Sequence, residues 1–74
     1  MENASEIIIN TLYRTESNPA IISRLSKSLK VKARLLEKQL QEVNIAGAGA
    51  TARDIRELSE MFSELDKKLN MSNN

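Results

Sequence analysis

The residues of this 74-residue chain that could carry chemistry begin with a segment of small side chains. Residues 47–52 read Gly-Ala-Gly-Ala-Thr-Ala and match the G-x-G-x-x-G/A pattern of dinucleotide-binding turns. That pattern requires a strand before the first glycine, because the pyrophosphate must lie on the N-terminus of the helix that follows. A long helical pattern precedes it here, and Asp54 would place a negative charge near the phosphates. We therefore predict no bound cofactor and interpret the glycines as a close turn between helices.

Three acidic residues, Glu57, Glu60 and Glu64, share one face of a predicted helix and could suggest metal binding or acid–base catalysis. The chain contains no His and no Cys, and no second acidic helix is predicted to face these carboxylates. Its Ser and Thr hydroxyls have no histidine to activate them, and so small a core offers no pocket. The sequence therefore predicts no metal site, no catalytic residue and a protein that is not an enzyme.

A row of cations along the predicted central helix could follow a phosphate backbone. Its members are Arg24, Lys27, Lys30, Arg34 and Lys38. No aromatic side chain interleaves with them, and the net charge of the chain is only +1. We interpret the row as a solvated helix face, and keep a small nucleic-acid-binding regulator as the alternative function.

The elements that must position these residues form an all-α fold, in which a short N-terminal helix precedes an antiparallel helical hairpin. The first helix is predicted over about residues 4–15, with Asn3 as its N-cap and Glu6 completing a capping box. Residues 7–13 are also rich in strand-forming side chains. A helix is favoured because a lone strand would leave its backbone groups unpaired, but the strand alternative stays open.

The second helix is predicted over about residues 19–43, with Asn18 as its cap and Pro19 at its first position. Its apolar residues recur at spacings of three and four, which is typical of one helix face. They are Ile22, Leu25, Leu29, Ala33, Leu36, Leu40 and Val43. The joint is predicted over residues 44–50, where Gly47 or Gly49 supplies the left-handed residue that ends a helix.

The third helix is predicted over about residues 52–70, with Thr51 as its cap and residues 71–74 as a frayed tail. Its apolar residues form a heptad seam of Ile55, Leu58, Phe62, Leu65 and Leu69. Glu64 and Lys68 form an i,i+4 pair on its surface. The apolar faces of the second and third helices predict that they pack together in one small helical domain over residues 1–74. The predicted buried core consists of Leu29, Leu36, Leu40, Leu58, Phe62 and Leu65.

Four further large apolar residues fall outside the predicted core faces: Ile21, Val31, Leu35 and Met61. A three-helix chain with a short first helix cannot cover all of them, and exposed apolar surface favours association. We expect these residues to bind a partner, either a second copy of the chain in a homo-oligomer or a helical partner protein. No apolar run approaches the ~18 residues of a membrane span, and the acidic N-terminus does not resemble a signal peptide. A cytoplasmic protein is therefore expected.

A short helix, a proline break and a long helical hairpin in a cysteine-free chain resemble the small cochaperones of type III secretion needle subunits. The residues that carry this resemblance are 24–43, the glycine-containing segment 47–49, and 53–69. The resemblance implies a non-enzymatic role in the cytoplasm. The protein would help a larger helical-repeat chaperone to keep an aggregation-prone needle protein unpolymerised before export.

Overall fold

The structure, a computed structural model, describes residues 3–72, which form three α-helices and the short segments between them. The helices are α1 (Ala4–Thr15), α2 (Asn18–Gln41) and α3 (Ile45–Ser72). Within residues 3–72 there is no strand, so the all-α prediction is confirmed, as is a helix over residues 7–13. The predicted tail at residues 71–74 is wrong for Met71 and Ser72, which continue α3, and its last two residues lie outside the described range.

Side chains cap the first turns of α1 and α2. The Asn3 side chain accepts a hydrogen bond from the backbone N–H of Glu6 at 2.8 Å, so Asn3 is the N-cap of α1 as predicted. Ser17 caps α2, because its backbone is extended and its hydroxyl accepts from the Ala20 N–H at 3.3 Å. The prediction of Asn18 as this cap is wrong by one residue, and Pro19 lies within the first turn, where its missing N–H costs nothing.

The joint between α2 and α3 is shorter than predicted and uses no glycine. Val43, with φ of 55°, is the left-handed residue, and neither glycine has a positive φ. The Val43 N–H donates to the Leu40 carbonyl at 3.1 Å, and the Asn44 N–H donates to the Gln39 carbonyl at 2.8 Å. This pair of bonds defines a Schellman motif, which ordinarily places glycine at the left-handed position. The prediction of Gly47 or Gly49 in this role is therefore wrong.

Asn44 also begins the next helix, so one residue ends the joint and caps α3. Its side-chain carbonyl accepts from the Gly47 N–H at 3.0 Å, and its backbone carbonyl accepts from the Ala48 N–H at 2.9 Å. Helix α3 consequently starts at Ile45, and the predicted start near residue 52 with Thr51 as the cap is wrong. The Asn44 side chain therefore supplies the capping interaction that the sequence analysis assigned to Thr51.

Gly47 and Thr51 instead provide the close packing of α3 on α2. A Cβ atom on Gly47 would lie 2.5 Å from Asn44 Nδ2 and 2.8 Å from Gln39 Nε2, so a larger residue would displace both amides. The Thr51 hydroxyl, which is buried, donates to Gln39 Oε1 at 2.6 Å. Because the Gln39 side chain reaches across the joint, it bridges the last turn of α2 and the second turn of α3.

The two glycines differ in the space beside them, which predicts opposite responses to alanine. A Cβ atom on Gly49 would meet nothing within 4 Å, so Gly49→Ala is expected to stabilise the protein by about 0.5–1 kcal/mol through helix propensity. Gly47→Ala would disturb the Asn44 cap and is expected to be about 1 kcal/mol less stable than Gly49→Ala. Urea denaturation of both variants measures this difference, and equal gains at the two positions would contradict the close contact at Gly47.

The buried core lies where all three helices meet. Its buried members are Ile9 from α1, Ile21 and Leu25 from α2, and Leu58 and Leu65 from α3. Partly buried side chains pack around this cluster: Leu12, Tyr13, Leu29, Met61, Phe62 and Leu69. The core therefore lies beside α1 and does not extend along the whole hairpin.

This placement corrects several burial predictions. Leu58 and Leu65 are buried as predicted, whereas Leu29, Leu36 and Phe62 are only half-buried. Leu40 was predicted to be buried and is 54% exposed. The physical reason is the short first helix. The contacts of α1 and of Glu16 after it all lie in the half of the hairpin remote from the joint: Ser5 with Glu60, Tyr13 with Lys68 and Glu16 with Arg24.

The half of the hairpin near the joint is consequently two helices thick. At 1.5 Å per residue, α1 is about 18 Å long and α2 about 36 Å, so α1 reaches about half the length of α2. The radius of gyration is 14.3 Å, compared with about 11 Å for a compact chain of this length. The elongated shape leaves apolar side chains in water along the uncovered half.

Candidate protein-interaction surfaces

The segment that matches a dinucleotide fingerprint does not form the arrangement that the fingerprint requires. Residues 47–52 lie within α3, and the element before them is α2. The Asn44 and Gln39 amides occupy the space beside Gly47, where the backbone of a dinucleotide-binding turn would approach a pyrophosphate. The geometry supports the interpretation of this segment as helix packing.

Two of the three acidic residues predicted to share a face of α3 have partners within the chain. Glu60 accepts a hydrogen bond from the buried Ser5 hydroxyl at 3.3 Å, and Glu64 pairs with Lys67 at 3.2 Å. Glu64 thus uses its i,i+3 neighbour, while the ammonium of Lys68, its predicted i,i+4 partner, lies 5.9 Å from the centre of the Tyr13 ring. Among residues 3–72, no three acidic side chains converge as a metal site would require.

The four residues predicted to bind a partner do not form one surface. Ile21 is fully buried in the core, so its predicted position outside the core is wrong. Met61 is half-buried and packs against the same core cluster. Sequence periodicity placed both residues on secondary faces, but both belong to or pack against the cluster that includes Ile9 of α1. Val31 and Leu35 remain on the surface, 62% and 39% exposed.

Val31 and Leu35 lie among exposed cations on α2. Lys27, Arg34 and Lys38 are all exposed. At about 100° per residue, these five residues fall within an arc of about 100° on the helix. We call this set the basic–apolar strip. It combines two apolar side chains with three positive charges, a pattern that suits an amphipathic segment with acidic side chains at its edge.

The remaining cations of the predicted row differ in their pairing. Arg24 donates to both carboxylate oxygens of Glu16, at 2.7 and 3.1 Å, and this hydrogen bond and the Glu16 charge raise the pKa of Arg24. Lys32, which was not part of the row, pairs with Asp54 at 2.7 Å. Lys30 is exposed, and like the three cations of the strip it forms no ion pair within residues 3–72. Four of the five predicted cations are thus available to an anionic surface.

A second apolar surface follows a different edge of α2. A heptad spacing of four and three, apolar except for Ser26, joins Ile22, Ser26, Leu29, Ala33, Leu36 and Leu40. We call this set the α2 seam. Ile22 and Leu40 at its ends are 46% and 54% exposed, and Ala33 is also exposed. On α3, Ile55 and Phe62 are half-buried as well.

Three residues beside the α2 seam contribute to the packing of α2 on α3. The contacting row is Leu25, Lys32 and Gln39, spaced seven residues apart, of which Leu25 is in the core, Lys32 pairs with Asp54 and Gln39 bonds Thr51. The more apolar heptad face of α2 is therefore only partly used within the chain. Sequence analysis treated that face as core and did not identify it as a surface. The signal that could have identified it was its length of 19 residues, because a 12-residue α1 is too short to cover it.

None of the three helices that the structure describes combines the length and apolar character needed to cross a membrane. In comparisons with known proteins, no family model, no curated protein and no solved structure matches this chain.

Proposed function

We propose that this chain is a non-enzymatic helical module that binds a partner protein through the basic–apolar strip. The observation that carries the proposal is the exposure of Val31 and Leu35 on α2, next to three cations without an ion pair in the described residues. Moving a large apolar side chain out of water contributes about 1.5–3 kcal/mol, which makes such residues useful contacts. The cations favour a partner helix with an acidic edge.

The proposed binding platform is an antiparallel hairpin. Gln39 contacts Thr51 near the joint, and the earlier residue Lys32 contacts the later residue Asp54. This order supports opposite directions for α2 and α3. A hairpin held at its joint by the Asn44 cap and the Gln39–Thr51 bond would present the strip as a straight helical surface.

As its specific form, we propose a cytoplasmic cochaperone of type III secretion, which helps to hold a needle subunit or that subunit's chaperone. The support is the order of helices and the exposed apolar surface, since a protein that shields an aggregation-prone helix must offer apolar contacts of its own. The proposed partner is helical, and its acidic residues would face Lys27, Arg34 and Lys38.

The test is calorimetric titration of the chain with a needle subunit and its helical-repeat chaperone. Leu35→Glu is expected to weaken binding at least ~10-fold, because it removes an apolar contact and opposes an acidic partner. Ile7→Glu is the matched control, since Ile7 is 53% exposed on α1 and lies outside the strip. Circular dichroism should show unchanged helicity in both variants. Absence of binding, or equal losses in the two variants, would contradict the proposal.

The alternative function is a small nucleic-acid-binding regulator that uses the cations of α2. The observation in its favour is that Lys27, Lys30, Arg34 and Lys38 are exposed and form no ion pair within the described part of the chain. A regulator of this kind should bind duplex DNA with an affinity that falls steeply with salt concentration. Binding to DNA that is lost in the Arg34→Gln and Lys38→Gln variants but kept in Leu35→Glu would favour it over the protein-binding module.

A further inference from the structure

We propose that the joint between α2 and α3 is a hinge through which two copies of this chain exchange their α3 helices and form a domain-swapped dimer. In each copy α2 and α3 become one continuous helix, and α3 packs on the α2 helix of the partner. The contacts that close the single chain identify the occupant as a second copy, because the same contacts form again between copies. This inference does not depend on the proposed function.

The joint is short, and an unfavourable residue occupies its left-handed position. Its three residues, Glu42, Val43 and Asn44, include neither glycine nor proline. Val43 has a φ of 55°, which lowers the population of the closed joint about 5- to 30-fold relative to an unstrained one. A continuous helix returns Val43 to the right-handed region and removes this strain. Short hinges under strain favour exchange between copies for this reason.

The faces by which α2 and α3 contact each other stay on one side of a continuous helix. They include Leu25, Lys32 and Gln39 of α2, and Thr51, Asp54, Leu58 and Leu65 of α3. At about 100° per residue, all seven fall within an arc of about 120° when residues 18–72 form one helix. Two such helices placed antiparallel therefore bring Lys32 to Asp54 and Gln39 to Thr51 again, now between copies.

Both three-helix cores are kept in the exchange. Helix α1 stays on its own α2, since the ion pair of Glu16 with Arg24 lies on the N-terminal side of the hinge. Each core then combines residues of two copies: Ile9, Ile21 and Leu25 of one, and Leu58 and Leu65 of the partner subunit. The buried contacts of the single chain are thus retained, and the difference between the two states lies in the joint and in the association of two chains.

The exchange also covers apolar side chains that the single chain leaves in water. The midpoints of the Lys32–Asp54 and Gln39–Thr51 pairs fall at residues 43 and 45, so the joints of the two copies meet at the two-fold axis. Leu40 and Val43 lie within the same 120° arc, and they are 54% and 74% exposed in the single chain. In the dimer they therefore face the partner subunit near the axis.

Charge reversal in two separate chains tests the swap, because it distinguishes contacts within a chain from contacts between chains. In Lys32→Asp, and likewise in Asp54→Lys, the paired positions carry like charges both in the single chain and in a swapped homodimer. A swapped dimer with one copy of each variant has two opposite-charge pairs. After the variants are refolded together, the ratio of heterodimer to homodimers is expected to exceed statistical mixing at least ~3-fold. Native mass spectrometry measures this ratio.

The matched control mixes Lys38→Asp with Glu57→Lys. Both residues are exposed and form no ion pair within residues 3–72, so this mixture is expected to stay statistical. The double variant Lys32→Asp/Asp54→Lys restores opposite charges within each chain and is expected to behave as the wild type. Statistical mixing of the Lys32 and Asp54 variants, or the absence of any dimer, would overturn the exchange.

Substitutions in the joint supply a second test, with opposite expected effects at neighbouring positions. Val43→Gly removes the strain of the closed joint and is expected to lower the association constant of the dimer at least ~10-fold. Asn44→Ala removes a cap that only a separate α3 needs and is expected to raise the constant at least ~10-fold. Both copies carry each substitution, so each effect enters twice. Changes in the same direction, or no change in either variant, would overturn the hinge.

Sedimentation equilibrium after refolding measures these constants. The range from about 1 µM to about 1 mM is suitable, because a short loop gives its two ends an effective concentration of the order of 1 mM, with which a second copy must compete. Circular dichroism should show helicity that is equal to or higher than that of the single chain, since the dimer adds the joint to the helix.

Small-angle X-ray scattering of the separated dimer tests its shape. One helix over residues 18–72 is about 82 Å long, compared with 47 Å for the longest dimension of the single chain. The longest dimension of the dimer is therefore expected to be about 80 Å or more. A dimer whose longest dimension stays near that of the single chain would contain two closed hairpins side by side and would overturn the proposal.

Discussion

Leu25→Ala is expected to lower the free energy of unfolding by about 2–5 kcal/mol. Leu25 is only 3% exposed and packs in the core cluster with Ile9, Ile21 and Leu65, so its truncation removes contacts to all three helices. A loss of this size is a large fraction of the total free energy of unfolding of a small domain, which is about 5 kcal/mol. Thermal and urea denaturation followed by circular dichroism measure it, and we expect partial unfolding at room temperature.

Leu40→Ala is the matched control for this experiment, since it is the same substitution in the same helix. Leu40 is 54% exposed, and we expect its replacement to cost less than about 1 kcal/mol in the single chain. Measurements at low protein concentration keep self-association out of the comparison. Similar losses at the two positions would show that the core extends along the whole hairpin, contrary to the structure.

Val43→Gly is expected to raise the free energy of unfolding by about 1 kcal/mol. Val43 has a φ of 55°, which is strained for a β-branched residue, and it is 74% exposed, so little packing is lost. The glycine keeps both Schellman hydrogen bonds, which are made by backbone groups. Part of the gain is offset because glycine also increases the entropy of the unfolded chain. Urea denaturation gives the change directly.

Glu42→Gly is the control for the joint. Glu42 is the neighbouring residue and has an ordinary φ of −84°, so glycine relieves no strain there. We expect the free energy of unfolding of this variant to fall by up to about 1 kcal/mol, because glycine increases the entropy of the unfolded chain. A gain at both positions, or a loss at both, would contradict the left-handed conformation of Val43.

The joint illustrates what local sequence rules predict and where they stop. The rule that a glycine ends a helix pointed to Gly47 or Gly49, yet the left-handed residue is Val43. A left-handed valine is locally unfavourable, so only the gain from placing α3 against α2 can offset it. The nearby glycine is instead required by the amides of Gln39 and Asn44, a contact between two helices that no single-helix rule describes.

The helix faces illustrate the same limit. Periodicity identified the apolar residues of α2 but could not choose between two faces. The residues from Ile22 to Leu40 and the pair Ile21 and Leu25 both have the spacing of a helix face. Whether Ile21 or Ile22 enters the core depends on the rotation of α2 about its axis. The docking of α1 settles that rotation, because Ile9 needs Ile21 and Leu25 as neighbours, and Ile22 is left 46% exposed.

The sequence by itself determined that the chain is helical, that α1 starts after Asn3, and that α2 carries a row of exposed cations. These properties follow from local capping, helical periodicity and composition, which act within a few residues. Only the tertiary structure decided the three-residue joint, the burial of Ile21 and the exposure of Leu40. The reason is physical. The rotation of each helix and the length of hairpin that α1 covers are set by contacts between residues distant in the chain, and local sequence preferences do not depend on those contacts.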